Sequence, residues 1–126
     1  MAENAFSLTV LSTPDWLRLG VLFQRVFGHA LDSKLADYKY ADGHGESVAL
    51  VDEEDQVVAH CGMIFRRLLI AGRPSPGAQF GDLMVEPAVR GIGSRQGLPF
   101  YRVFTGALQR LKNDTPLPLV FGYPSA

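Results

Sequence analysis

The chain has 126 residues, 47% of them hydrophobic, with eight Phe, four Tyr and one Trp, which is material for one packed domain over 1–126 and argues against disorder. A formal net charge of −1 excludes a strongly basic nucleic-acid binder and a protein held on anionic membrane by charge. A single cysteine, Cys61, excludes an internal disulfide framework and fits a reducing, cytoplasmic setting. MAENAFSLTV carries no basic stretch and no long apolar core, so no secretory signal is expected. No run approaches the ~18 apolar residues that span a bilayer.

Residues 5–11 (AFSLTVL) alternate loosely and read as a first strand. Ser12, Thr13, Pro14 and Asp15 then form a helix-start signal: a hydroxyl cap, a proline in the first turn and an acid near the positive end of the dipole. Apolar residues at 16, 19, 22, 23, 26 and 27 have helical spacing, and Gly28 can end that helix. Residues 32–40 (DSKLADYKY) suit a second, shorter helix, and ADGHGE is a turn cluster. The period then shortens. Two strands are expected over about 47–52 and 56–70, with EED as their hairpin turn. GRPSPG reads as a second turn, and AQFGDLMVEP as a buried third strand of the meander. Leu98, Tyr101, Phe104, Leu108 and Leu111 share one face of a helix over 98–111, with Pro99 near its start and Asn113, Asp114 and Pro116 stopping it. PLVFGYP is a last short strand. The order is β, α, α, β, β, β, α, β: an antiparallel meander, then a crossover helix leading to a strand parallel to its predecessor.

The segment GDLMVEPAVRGIGSRQG (81–97) carries the most information. A helix N-terminus leaves amide N–H groups unpaired and carries partial positive charge. Glycines before it let the backbone approach a ligand, and such a loop suits a pyrophosphate. Arg90 and Arg95 can add charge-assisted hydrogen bonds to phosphate oxygens. The plainer alternative is a tight strand-to-helix turn with its arginines in solvent. The segment is not a Walker loop, because no Gly-Lys-Ser/Thr follows, and the preceding antiparallel meander argues against a dinucleotide fold.

VEPAVRGIGSRQG resembles the pyrophosphate-binding segment of the GCN5-related N-acetyltransferase family, a strand followed by Pro-x-x-Arg-Gly-x-Gly. LFQRVFGHALDSKLADYKYADGHGES is similar to the first-helix region of a branch of larger members, where Phe-Gly precedes an aromatic-Lys-Tyr and a glycine turn. FGYPSA resembles the Phe-Gly-Phe-Pro-Asn ending of the fifth strand in that branch. The likeness departs in two ways. The glycine pattern can be aligned from Ala88 or from Arg90, and neither match is clean. The sequence also stops at Ala126, where members of the family continue with a helix and two further strands.

The resemblance implies an α/β fold with a mixed sheet, antiparallel through four strands, a parallel fifth strand and helices on both faces, without the family's last helix and two strands. It implies acetyl-coenzyme A as co-substrate, no metal, and an amine acceptor on a small molecule or a protein. The pantetheine arm would lie along Leu83, Met84 and Val85. The pyrophosphate would be held by the backbone of Arg90, Gly91, Ile92, Gly93, Ser94 and Arg95. A homodimer is one way to cover the exposed last strand. In the family a tyrosine on the missing helix often protonates the departing thiolate. No activated nucleophile stands out, so direct attack by the amine is expected over an acyl-enzyme. The alternative is a non-catalytic acyl-coenzyme A binder or truncated relic acting through interaction. A nucleotide-phosphate module is weakened by the lack of a carboxylate or lysine motif for Mg²⁺–phosphate.

Asp82, on the strand just before the thioester position, and Tyr123, at the end of the last strand, are the candidate catalytic residues. A turn-satisfying role for Asp82 and a packing role for Tyr123 are the competing readings. Glu86 reads as a surface carboxylate. His29, His44 and His60 have no metal-ligand spacing and read as structural, and Cys61 as a buried inert thiol. His60 and Cys61 cannot act as a pair, since neighbouring strand residues face opposite ways. Trp16, Phe23 and Phe27 read as core. Tyr38 and Tyr40 suit packing or the wall of an acceptor pocket.

Overall fold

A computed structural model describes residues 5–12, 15–93, 97–113 and 119–122. The elements are β1 (Ser7–Leu11), α1 (Trp16–Phe27), α2 (Ser33–Tyr40), β2 (Gly45–Val51), β3 (Val57–Ile70), β4 (Arg73–Val85), a 3-10 turn (Pro87–Val89), α3 (Pro99–Asn113) and β5 (Leu119–Phe121). One sheet takes the strands in chain order, antiparallel from β1 to β4 and parallel between β4 and β5.

Local chemistry accounts for most boundaries. Gly28 closes α1 in the left-handed region at φ 80°, donating its N–H to the Gln24 carbonyl. Asp32 caps α2 by accepting from the amides of Lys34 and Leu35. The start of α1 differs from expectation. Among the described residues the Ser12 hydroxyl caps no amide. Ser12 instead donates through both its amide and its hydroxyl to the Asp15 carboxylate, and α1 begins at Trp16. The Ser12 amide leads the interactions that hold the Asp15 carboxyl below its usual range. Thr13 and Pro14 lie outside the described residues.

The sheet carries a core on each face. On one, α3 packs Val103, Ala107 and Leu111 against Val48, Leu50, Ala59, Cys61 and Met63. On the other, α1 and α2 pack Trp16, Leu19, Leu22, Ala36 and Tyr40 against Ala49, Val51, Ile64 and Met84. Successive strand residues alternate between these cores, so β2 and β3 are apolar on both faces. Trp16 Nε1 donates to Asp37 Oδ1 at 2.5 Å, which ties α1 to α2.

Three expectations need correction. The second hairpin turn is Ala71–Gly72, at φ 50° and 79°, and Arg73 to Gly77 already belong to β4. Pro74 and Pro76 are tolerated because alternate residues share one strand edge, and β5 begins pairing with β4 only at Gly77. The buried face of α3 runs through Pro99, Val103, Gly106, Ala107 and Leu111, while Tyr101 is exposed. The helix seats its small residues on the sheet: a Cβ on Gly106 would lie 2.5 Å from Leu8 Cδ2. Phe27, expected in the core, is 45% exposed.

Candidate active site

The site begins with a miscount in a strand. His60 pairs with Met84 and Gly62 with Gly81, so Cys61 alone opposes both Asp82 and Leu83. This is a β-bulge, and Asp82 takes φ 51° within it. Such a conformation is uncommon away from glycine, though Asp tolerates it better than most. The bulge shifts side-chain parity. Ala78 belongs to the α3-side core, so unbroken alternation would send residue 82 there too. Instead Leu83 and Val85 face α3, while Asp82 and Met84 face α1 and α2.

There Asp82 meets the end of α2. Its Oδ2 accepts from Tyr40 Oη at 2.5 Å and from Lys39 Nζ at 3.0 Å. Burial works to raise the Asp82 carboxyl, but the hydrogen bonds from Tyr40 and Lys39 and the Lys39 charge outweigh it, and the group sits below its usual range. Burial first, then the Asp82 charge, push the Tyr40 hydroxyl far above its usual range. Oδ1 of Asp82 accepts no hydrogen bond among the described residues.

The main chain of Asp82 is held as well. His60, fully buried, approaches the Asp82 carbonyl with Nδ1 at 2.7 Å and Ser47 Oγ with Nε2 at 2.6 Å. A carbonyl only accepts, so Nδ1 carries the proton and Nε2 accepts from the Ser47 hydroxyl. Burial pushes the imidazole below its usual value, which keeps it neutral. Cys61 points to the opposite core, and burial pushes its thiol up to about 12.

Beyond the bulge β4 has an open edge. The β4–β5 pairing ends at Gln79–Phe121 among the described residues, while β4 runs on to Val85. Glu86 N–H donates to the Val58 carbonyl, so by alternation the main chain of Met84 also faces β3 and that of Val85 faces outward. Arg90 Nε donates to the outward Val85 carbonyl at 3.1 Å, leaving the Val85 N–H on the open edge. The cleft beside this edge has a volume of about 850 Å³, within the size range of small-molecule sites. Phe80, Leu83, Phe100 and Phe104 give it apolar walls, and Asp82 and Gly91 are among the other residues that line it.

The glycine turn follows the 3-10 turn. Arg90 N–H donates to the Pro87 carbonyl and Ile92 N–H to that of Val89. Those two amides are used internally, which among the described residues leaves the amides of Gly91 and Gly93 for the expected pyrophosphate. These glycines stand at φ 86° and 103°, and a Cβ on Gly91 would meet nothing within 4 Å. Ser94, Arg95 and Tyr123 lie outside the described residues.

The structure thus brings Asp82, Leu83, Met84, Val85, Arg90 and Gly91 to one cleft. It turns the Met84 main chain to β3, because the bulge resets the strand's phase. Of the two tyrosines, Tyr38 is exposed and Tyr40 is the partner of Asp82. Sequence reasoning did not join Lys39, Tyr40, His60 and Ser47 to Asp82. A signal existed in the glycines: a Cβ on Gly62 would lie 2.0 Å from Tyr40 Oη, so Gly62 leaves room for that ring. Glu86, half-buried, pairs with Arg25 at 3.0 Å. Among the described residues no group of three or more His, Cys, Asp or Glu comes together to hold a metal ion, and no helix is long and apolar enough to cross a membrane.

No protein-family model matches the sequence, and a search of curated proteins found no match. Solved structures do match. A conserved protein from Enterococcus faecalis described as a probable N-acyltransferase superposes with a TM-score of 0.77 at 14% identity, covering 96% of this chain and 29% of its own. An aminoglycoside acetyltransferase from an uncultured soil metagenomic sample, in complex with sisomicin, gives 0.70 at 18% identity, covering 98% and 80%. A GCN5-related N-acetyltransferase from Kribbella flavida gives 0.70 at 22% identity, covering 96% and 30%. The chain spans less than a third of the Enterococcus and Kribbella proteins. It has the fold of the GCN5-related N-acetyltransferases, with the mixed sheet and the parallel fifth strand expected from the sequence.

Proposed function

We propose that this chain binds acetyl-coenzyme A along the open edge of β4 and transfers the acetyl group to an amine by direct attack. One observation carries the reading: among the described residues β5 pairs with β4 only as far as Gln79–Phe121, and the six residues of β4 that follow border a cleft ending at a two-glycine turn. In this reading Gly91 and Gly93, with Ser94 and Arg95, receive the pyrophosphate, and Leu83 and Val85 border the pantetheine arm. The Val85 N–H is the open donor on that edge. Arg90 holds the strand end through Nε, so only its terminal nitrogens can reach a phosphate.

In the transfer the amine nitrogen bonds to the acetyl carbon as the carbon–sulfur bond breaks. The amine gives its proton to water, and the sulfur leaves with the bonding pair as a thiolate that gains a proton to become the thiol. Asp82 is ionised and already engaged by two donors, which makes it a weak proton acceptor at neutral pH. Its open Oδ1 suits holding the acceptor's ammonium group at the cleft, and Tyr123 is the proposed proton donor to the thiolate. A small-molecule amine, the class of ligand carried by the sisomicin-bound neighbour, is the first acceptor to test.

Calorimetry with acetyl-coenzyme A, coenzyme A and ATP tests the binding step. Binding of the first two without ATP supports the proposal, and binding of ATP alone overturns it. The engagement of Asp82 by Lys39 and Tyr40 favours a second reading, a non-catalytic acyl-coenzyme A binder. Thiol release across a panel of amines separates the two.

A further inference from the structure

We infer that His60 is a positioning residue for this site: its Nδ1–H pins the Asp82 carbonyl and so holds the bulge that sets which groups of β4 face the cleft. The inference rests on the proposed acetyl-coenzyme A site. His60 is fully buried and cannot touch a ligand in the cleft. Its two ring nitrogens are both committed, Nε2 to Ser47 on β2 and Nδ1 to Asp82 on β4. Its ring stands edge-on to Tyr40 at a centroid distance of 5.7 Å, and Tyr40 holds the same aspartate by its carboxylate. Asp82 is therefore gripped by three residues on two elements: by its main chain from His60 on β3, and by its side chain from Tyr40 and Lys39 at the end of α2.

Such a grip has work to do. Asp82 occupies a left-handed conformation inside a strand, which persists only when its surroundings over-determine it. Relaxing the bulge by one residue would exchange the two faces of β4 beyond it. The Val85 N–H would then turn toward β3, and Asp82 would leave the side of Lys39 and Tyr40. Ser47 contributes by donating to Nε2, which fixes the tautomer that places the proton on Nδ1.

Two substitutions separate positioning from filling space. In His60→Asn the amide nitrogen can take the place of Nδ1 and still donate to the Asp82 carbonyl. In His60→Gln the nitrogen falls near the place of Nε2, and that donor is lost although more of the imidazole volume is kept. Calorimetry on the full chain is expected to show acetyl-coenzyme A binding within about threefold of the parent for His60→Asn, and at least about tenfold weaker for His60→Gln. Thermal unfolding is expected to rank them the other way, because Asn leaves the larger void. If the Gln variant binds as well as the Asn variant or better, the inference is overturned. If the unsubstituted chain binds no acetyl-coenzyme A, the functional proposal fails separately. In that case, or if the variants do not fold, nitrogen-15 NMR of the unsubstituted chain decides. A neutral His60 protonated at Nδ1 supports the pin, and protonation at Nε2 removes it.

Discussion

A Cβ on Gly62 would lie 2.0 Å from Tyr40 Oη and 2.6 and 2.7 Å from two ring carbons. Tyr40 cannot retreat, because it is buried, its hydroxyl is bonded to Asp82 and its ring is packed between Trp16 and His60. Gly62→Ala is therefore expected to destabilise the fold by about 1–3 kcal/mol, read as a lower urea midpoint at unchanged slope. Tyr40→Phe removes only the hydroxyl and leaves the offending ring carbons. It costs the bond to a charged acceptor, about 1.5–3 kcal/mol, and should not rescue Gly62→Ala in the double variant. A double variant as stable as Tyr40→Phe alone would show that the hydroxyl, and not the ring, is what Gly62 accommodates. Asp82 was picked out in the sequence as a carboxylate on the strand just before the expected thioester position. Its partners were not, because Lys39 and Tyr40 lie more than forty positions away and meet it only through the fold. His60 was read as structural, and its buried, fully bonded ring agrees, but the carbonyl it holds was invisible without the bulge.

Elements whose signals are local were legible: Gly28 ends α1, Asp32 opens α2, and the change of period after the ADGHGE turn marks the meander. Elements set by tertiary context were not. Pro74 and Pro76 read as a turn because a central strand rejects proline, whereas they sit where the edge of β4 is not yet paired. The bulge has no sequence signature, since it exists only as a count of partners across two strands. The turn after it was legible as glycines, and its use is testable at the same scale. Gly93 stands at φ 103°, a region that side chains rarely adopt. Gly93→Glu is expected to abolish acetyl-coenzyme A binding in calorimetry by filling and charging the turn; unchanged affinity would take the turn out of the site. Gly91→Ala is the milder companion. The added Cβ meets nothing within 4 Å, so its cost is conformational, about 1–2 kcal/mol of stability.

Across the whole molecule the two cores meet at a sheet whose centre holds a neutral imidazole and an ionised carboxylate side by side. Ion pairs such as Arg25–Glu86 and Arg18–Asp55 link elements around the outside, but each has a solvent-exposed member, and such pairs contribute little. The dependence of stability on pH should therefore come from the buried pair. Burial holds His60 below the ordinary imidazole value of 6.5, so below that pH the unfolded chain takes up a proton that the folded chain refuses. Stability contributed by His60 is present above about pH 6.5 and is lost as pH falls toward its folded value. Tyr40 and Lys39 keep Asp82 below 3.8, so its contribution is present above that pH and is lost only in stronger acid. Two stages of acid loss are expected, and urea midpoints measured from about pH 7.5 down to about pH 3 should resolve them. His60→Asn removes the titrating ring and should flatten the upper stage while leaving the lower one. A parent chain whose midpoint does not move between about pH 7 and pH 5 would mean that His60 takes up its proton as readily in the folded chain as in the unfolded one, and a midpoint that rises would mean that the folded chain holds the proton more tightly; either result removes the neutral imidazole from the centre of the sheet at acid pH.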